Sequence, residues 1–272
     1  MLINFADMLS EVRSKKPLIH HITNYVTVND CANIVLALGA SPVMADDCGE
    51  VSDIVSVSSA LVLNIGTLNK RTVESMLVAG KAANSLSVPV ILDPVGVGVS
   101  KLRGDSVSEI LNNVKISVLR GNMSEIRFLA GLGASSKGVD ASDEDGSGNV
   151  ITGAETAKTL SKNLGCVVAV TGETDFISDG CRTVAVANGH QTLKNVTGTG
   201  CMTTSLVGCY CGATRDYFSS SVAGIVTMGI AGELAFKEFE LAGTGSFRAG
   251  LIDCVSMLDG KTIERMKKIS EI

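Results

Sequence analysis

Chemically capable side chains stand where short β-branched runs end. Val90-Ile91-Leu92 leads into Asp93-Pro94-Val95-Gly96-Val97-Gly98, Val118-Leu119 into Arg120-Gly121-Asn122, and Val168-Ala169-Val170 into Thr171-Gly172-Glu173. Parallel α/β sheets bind ligands beyond the carboxyl ends of their strands. A carboxylate, a guanidinium and a hydroxyl at three such ends, each near glycine, are what a phosphate–metal site uses: an acid for Mg²⁺, a cation for phosphate oxygens, and approachable backbone. Each group alone has a plainer reading, as a turn at Asp93-Pro94, a surface ion pair at Arg120, or a loop start at Thr171. Their recurrence at three ends favours the site. Glu125 has two compatible readings. It closes a capping box over Asn122-Met123-Ser124-Glu125, with Asn122 as N-cap, and it is a second metal-side carboxylate.

The sharpest local signal is Asn195-Val196-Thr197-Gly198-Thr199-Gly200-Cys201-Met202-Thr203-Thr204. Gly198 and Gly200 permit a tight turn, and small residues continue as a helix. Successive N–H groups at a helix N-terminus form an anion hole assisted by the helix dipole. Phosphoryl transfer is catalysed largely by holding and neutralising charge in this way. Cys201 falls in the first turn, where a thiol pKa is expected to be lowered. The plainer alternative is a Gly-rich helix start with a buried cysteine.

These groups need a scaffold, and the chain alternates strands with helices. Strands are predicted at 61–65, 89–93, 116–120, 166–171 and 183–187, and helices at 72–87, 124–130 and 152–164. That alternation implies a mostly parallel sheet covered on both faces. The first helix recognised begins after Thr27, read as the N-cap of a capping box with Asp30, and stops at Gly39. Asp143–Asn149 reads as a polar loop without EF-hand spacing. No domain linker is evident, so 1–272 is expected to form a single domain.

Composition removes several function classes. Hydrophobic residues make up 45% and the formal net charge is −5, with no basic cluster longer than Lys267-Lys268, so nucleic acid is an unexpected partner. The N-terminus lacks a basic region ahead of its apolar residues, and no run reaches the length of a membrane span, so a cytoplasmic protein is expected. The eight cysteines form no CxxC pair and only three histidines accompany them, which argues against zinc. Gly260-Lys261-Thr262 looks like the end of a P-loop, but Val255 stands where its first glycine belongs. Thr203 and the late position spoil a dinucleotide fingerprint at Gly198-Thr199-Gly200.

At these residues the chain resembles the hydroxyethylthiazole kinases of the ribokinase-like superfamily. Thr197-Gly198-Thr199-Gly200-Cys201 is similar to the superfamily's anion-hole signature, with the cysteine typical of that family in place of aspartate. Pro17–Val26, Gly39–Ala45, Leu92–Gly98, Arg120–Glu125, Gly245-Ser246-Phe247 and Leu251-Ile252-Asp253 resemble it too, so the likeness spans nearly the whole chain. It implies a three-layer α/β sandwich and transfer of the ATP γ-phosphate to the hydroxyl of 4-methyl-5-(2-hydroxyethyl)thiazole, in thiamine salvage. It also implies a homotrimer with active sites at subunit interfaces. By the same resemblance Met44 and Gly198 would contact the thiazole, with Asn24 near it. Arg120, Thr171, Thr197 and Gly200 would bind ATP, Asp93 and Glu125 would serve Mg²⁺, and Cys201 would be catalytic. Thr244, where the family often has proline, is a mild departure. The alternatives are a pyridoxal or hydroxymethylpyrimidine kinase, an ATP-dependent repair dehydratase, a non-catalytic nucleotide sensor and, least favoured, a nicotinamide oxidoreductase.

Overall fold

A computed structural model describes residues 3–131, 153–239 and 242–272. In chain order its elements are α1 Phe5–Lys15, β1 Leu18–Ile22, α2 Val28–Leu38, β2 Ser41–Met44, α3 Val51–Val57, β3 Ala60–Asn64 and α4 Lys70–Ser85. These are followed by β4 Val90–Asp93, α5 Lys101–Asn113, β5 Val118–Asn122, α6 Met123–Leu129, α7 Gly153–Leu164, β6 Val167–Thr171, β7 Asp175–Ser178 and β8 Thr183–Val186. A 3-10 turn at Gln191–Asn195 precedes α8 Thr199–Thr214, α9 Tyr217–Phe239, α10 Thr244–Met257, α11 Gly260–Met266 and β9 Ile269–Glu271.

The strands form one sheet in the order β2-β1-β3-β4-β5-β6-β7-β8-β9. β2 through β6 pair in parallel, and β7, β8 and β9 continue the sheet antiparallel. The expected mostly parallel sheet is therefore present, with every predicted strand in it.

Strand sequence dictates the two covering layers. All of β3 is buried, and successive side chains point to opposite faces. Ala60 and Val62 join a core with Phe5, Ile34, Leu206 and Phe247, whereas Leu61 and Leu63 join another with Val55, Met76, Ile110 and Ile126. Helices α1, α2 and α8–α11 thus cover one face and α3–α7 the other. A strand buried on both faces must read as a continuous apolar run, which is why these strands were legible.

Three sequence expectations need correction. The helix after Thr27 is the second, since α1, capped by Asn4, precedes it. Thr27 is its N-cap residue but makes no side-chain capping bond: its hydroxyl donates to Asn24 Oδ1 instead, and the Asp30 carboxylate, which would have closed the box, is turned to Arg248 of α10. The stop at Gly39 holds, with the glycine at φ 105°. Finally, α9 is long and apolar enough to span a membrane, against the expectation that no run is. It is apolar on all sides because it is packed inside the domain between α8 and α10. Asp143–Asn149 lies outside the described residues. Gly260-Lys261-Thr262 opens α11 under an Asp259 cap, where Thr262 N–H donates to Asp259 at 2.7 Å.

Candidate active site

The parallel strands deliver their last residues to one edge of the sheet. Asn64 ends β3 directly opposite Asp93, which ends β4. Arg120 lies in β5 two residues before Asn122, which is paired with Thr171 at the end of β6. Asn24 follows β1 by two residues, and Met44 ends the edge strand β2. Over this edge stands the N-terminus of α8. Its N-cap Gly198 has φ 89°, and a Cβ there would come within 2.6 Å of Thr27 Cγ2. Only glycine meets both demands.

Cys201, in the first turn of α8, is gripped by two amides. Asn24 Nδ2 donates to its Sγ at 3.3 Å and Asn64 Nδ2 at 3.2 Å. Asn24 is itself fixed, since its Oδ1 accepts from Thr27 N–H at 3.1 Å and Thr27 Oγ1–H at 3.0 Å. The thiol pKa is raised, chiefly by burial and then by the nearby Asp93 charge. This overturns the expected lowering: the helix N-terminus is local, but desolvation and a carboxylate from a distant strand outweigh it.

Asp93 is fully buried. Its Oδ2 accepts from Thr204 Oγ1 at 2.8 Å and Asn64 Nδ2 at 3.1 Å, with Arg120 Nη1 at 3.8 Å. Burial pushes its pKa up and Arg120 pulls it down. Arg120 Nη2 donates to Thr171 Oγ1 at 2.5 Å, and Gly200 leaves room for the guanidinium, because a Cβ there would lie 2.7 Å from Arg120 Nη1.

The two carboxylates differ as cation ligands. Asp93 Oδ1 is buried with no hydrogen-bond partner among the described residues, an orphaned acceptor of the kind a hydrated cation satisfies. Glu125 has both oxygens in use, Oε1 accepting from Gly96 N–H at 2.7 Å and Oε2 from Asn122 N–H at 2.8 Å. Its capping-box reading is realised. It fastens the glycine turn after Asp93 to the start of α6, and burial followed by the Asp93 charge raises its pKa to about 7.

Asn24, Asp93, Arg120, Thr171, Gly198, Gly200 and Cys201 thus share one locus. Thr197 is exposed in the turn ahead of α8, and Met44 sits partly buried on the edge strand. Sequence reading missed Asn64, which was hidden inside a predicted strand. A polar residue at the close of an otherwise apolar run was the signal that could have found it. A cavity of about 320 Å³ beside this locus is lined by Asn64, Thr23, Tyr25, Asp46, Arg71 and neighbours.

A model of the hydroxyethylthiazole kinase family matches residues 9–261. The chain is 58% identical over 270 residues to a hydroxyethylthiazole kinase of Clostridium beijerinckii, covering 99% of this chain and 98% of that one. It is 59% identical over 265 residues to one of Ruminiclostridium cellulolyticum, covering 97% and 96%. Among solved structures, a hydroxyethylthiazole kinase protein from Pyrococcus horikoshii superposes with a TM-score of 0.88 at 36% identity, covering 98% of each chain. A ribokinase-like superfamily protein from Enterococcus faecalis shares the fold at 10% identity, with a TM-score of 0.63 and coverage of 92% and 93%. The fold is therefore the expected ribokinase-like three-layer sandwich, and the chain belongs to the hydroxyethylthiazole kinase family.

Proposed function

We propose that this protein transfers the γ-phosphate of ATP to the hydroxyl of 4-methyl-5-(2-hydroxyethyl)thiazole, yielding the thiazole phosphate and ADP for thiamine salvage. The observation carrying this reading is the seat of Cys201, at the N-terminus of α8 and beside the Arg120–Thr171 pair, in a chain of this family. Residues 1–272 act as one kinase domain in the cytoplasm, built on a single continuous sheet.

Arg120, steadied by Thr171, and the backbone N–H groups around Thr197–Cys201 hold the γ-phosphoryl group as charge spreads over its oxygens. Met44 and Gly198 contact the thiazole, with Asn24 nearby. Cys201 orients the alcohol. Its raised pKa leaves it a thiol at neutral pH, so it positions rather than deprotonates. In a loose transition state the alcohol proton leaves late, as the new O–P bond forms and the bond to the ADP oxygen breaks, and a phosphoryl oxygen receives it. Mg²⁺, when bound, supplies charge neutralisation for the phosphates. Asp93 and Glu125 would hold that ion directly or through water, Asp93 through its Oδ1, and Glu125 also holds the Gly96 turn.

A homotrimer with interface active sites is part of this reading. Tyr25 and Val26 support it, since they follow Asn24 immediately yet are 78% and 58% exposed. A partner subunit would cover this apolar surface.

An ADP-release assay with ATP, Mg²⁺ and a panel of hydroxyethylthiazole, pyridoxal and hydroxymethylpyrimidine tests the reading. Preference for the thiazole is expected. Turnover of a different alcohol would retain the kinase and overturn the substrate, and ATP binding without turnover of any would favour a dehydratase or sensor.

A further inference from the structure

We infer that Asn64 is the positioning residue for Cys201, the side chain that fixes where the alcohol-orienting sulfur stands. This rests on the kinase reading above.

The orientation of the Asn64 amide is determined by its neighbours. Gly66 N–H can only donate, and it reaches Asn64 Oδ1 at 2.9 Å. Asn24 Nδ2 donates to the same oxygen at 3.0 Å, its own Oδ1 being committed to Thr27. The Asn64 nitrogen therefore faces Asp93 and Cys201, as donor to both. The result is a directed relay: Thr27 orders Asn24, Asn24 and Gly66 order Asn64, and both amides close on one sulfur.

The two ends of this relay depend on Asn64 unequally. Asp93 Oδ2 keeps Thr204 and the Arg120 charge if Asn64 is removed. The sulfur loses one donor outright. It also loses the anchor of the second, because Asn24 Nδ2 is aimed partly by its bond to Asn64 Oδ1. Space around the residue is tight, since a Cβ on Gly66 would meet Asn64 Oδ1 and Asn24 Cβ at 3.0 Å. Asn64 also lines the cavity of about 320 Å³.

A double-mutant cycle separates positioning from general structural support. Turnover is measured with radiolabelled ATP and hydroxyethylthiazole, so that slow variants still give rates, for the wild type, Asn64→Leu, Cys201→Ala and the double variant. ATP affinity and melting temperature are followed alongside. Asn64→Leu is expected to lower kcat about 10–100-fold with ATP affinity within about twofold of wild type. In the Cys201→Ala background the same change should cost less than about threefold. An equal cost in both backgrounds, or no cost in the first, overturns the inference. If Asn64→Leu does not fold, Asn64→Ala removes the amide without adding bulk or charge beside Asp93, and it is read against the same limits. A wild type that turns over no thiazole would instead sink the kinase reading, an outcome distinct from either.

Discussion

Asn24 and Asn64, held together by a 3.0 Å hydrogen bond, aim their side-chain nitrogens at a single sulfur, Cys201 Sγ. A site with two donors is built to receive an acceptor. Cysteine fills it weakly, because sulfur is a poor acceptor, and a carboxylate would fill it well.

Cys201→Asp should therefore retain or raise kcat, since its carboxylate would accept from both amides and point its second oxygen at the alcohol. Cys201→Ala should lower kcat about 10–100-fold, within the range assigned to a positioned acid–base group or less. Steady-state kinetics on both variants checks this. An inactive but folded Cys201→Asp enzyme would refute the role. The Asp93 charge nearby sets the limit, because it already raises the thiol pKa.

Gly200 is the clearance for Arg120. In Gly200→Ala the new Cβ would approach Arg120 Nη1 to 2.7 Å, and the guanidinium would have to leave its Thr171 contact. The KM for ATP should rise about tenfold, corresponding to roughly 1.4 kcal/mol. Alanine favours a helix over glycine, so the melting temperature should hold or rise. A fall in stability with unchanged KM would contradict this division.

The sequence disclosed what is local and concealed what is not. The buried strands 61–65, 89–93 and 166–171 were visible because burial on both faces demands an apolar run. The Asn122–Glu125 capping box was visible because both partners lie within one turn. Thr27 misled because Asp30, which should have completed its box, is claimed by Arg248 from 218 residues away. Cys201 misled for the same reason, its helix-terminus environment being overruled by burial and by Asp93 of β4. Asn64 escaped notice because a strand reading over 61–65 treats the residues inside it as structure, whereas the register setting Asn64 opposite Asp93 exists only in the folded sheet.

The Asp30–Arg248 pair ties α2 to α10 beside the Thr27–Gly198 contact. Asp30 is buried, whereas the Arg248 side chain is half exposed, at 49%. Arg248→Ala would leave a carboxylate that has lost its cation, costing about 1–2 kcal/mol after allowance for solvent screening. Neutralising the survivor in Asp30→Asn/Arg248→Ala should recover part of that loss. Urea denaturation of the three proteins tests it, and additive losses would mean that the two side chains stabilise the fold independently.

His21 gives the stability a pH dependence of definite sign. It is buried on β1, with Nδ1 3.1 Å from the Ile19 carbonyl and Nε2 3.1 Å from Ser205 Oγ. A carbonyl only accepts, so the neutral ring carries its proton on Nδ1, and Nε2 competes with the Cys201 carbonyl for the single Ser205 hydroxyl proton. Burial, the largest cause, lowers its pKa from 6.5 to about 4. The unfolded chain then binds more protons than the folded one between those values, so stability is full above about pH 6.5 and falls as pH drops toward 4. The loss is on the order of 3 kcal/mol for a group this buried. Asp175 and Glu125, whose pKa values burial raises to about 7, act in the opposite sense. Their folded forms hold the proton longer, so they favour the fold as pH falls from 7. The His21 contribution is accordingly read as a difference between wild type and His21→Gln, by urea denaturation at pH 7, 6, 5 and 4. The wild-type curve should fall relative to the variant across that range. Parallel curves would show that His21 gains its proton without disturbing the sheet, and that its burial does not set the acid limit of the fold.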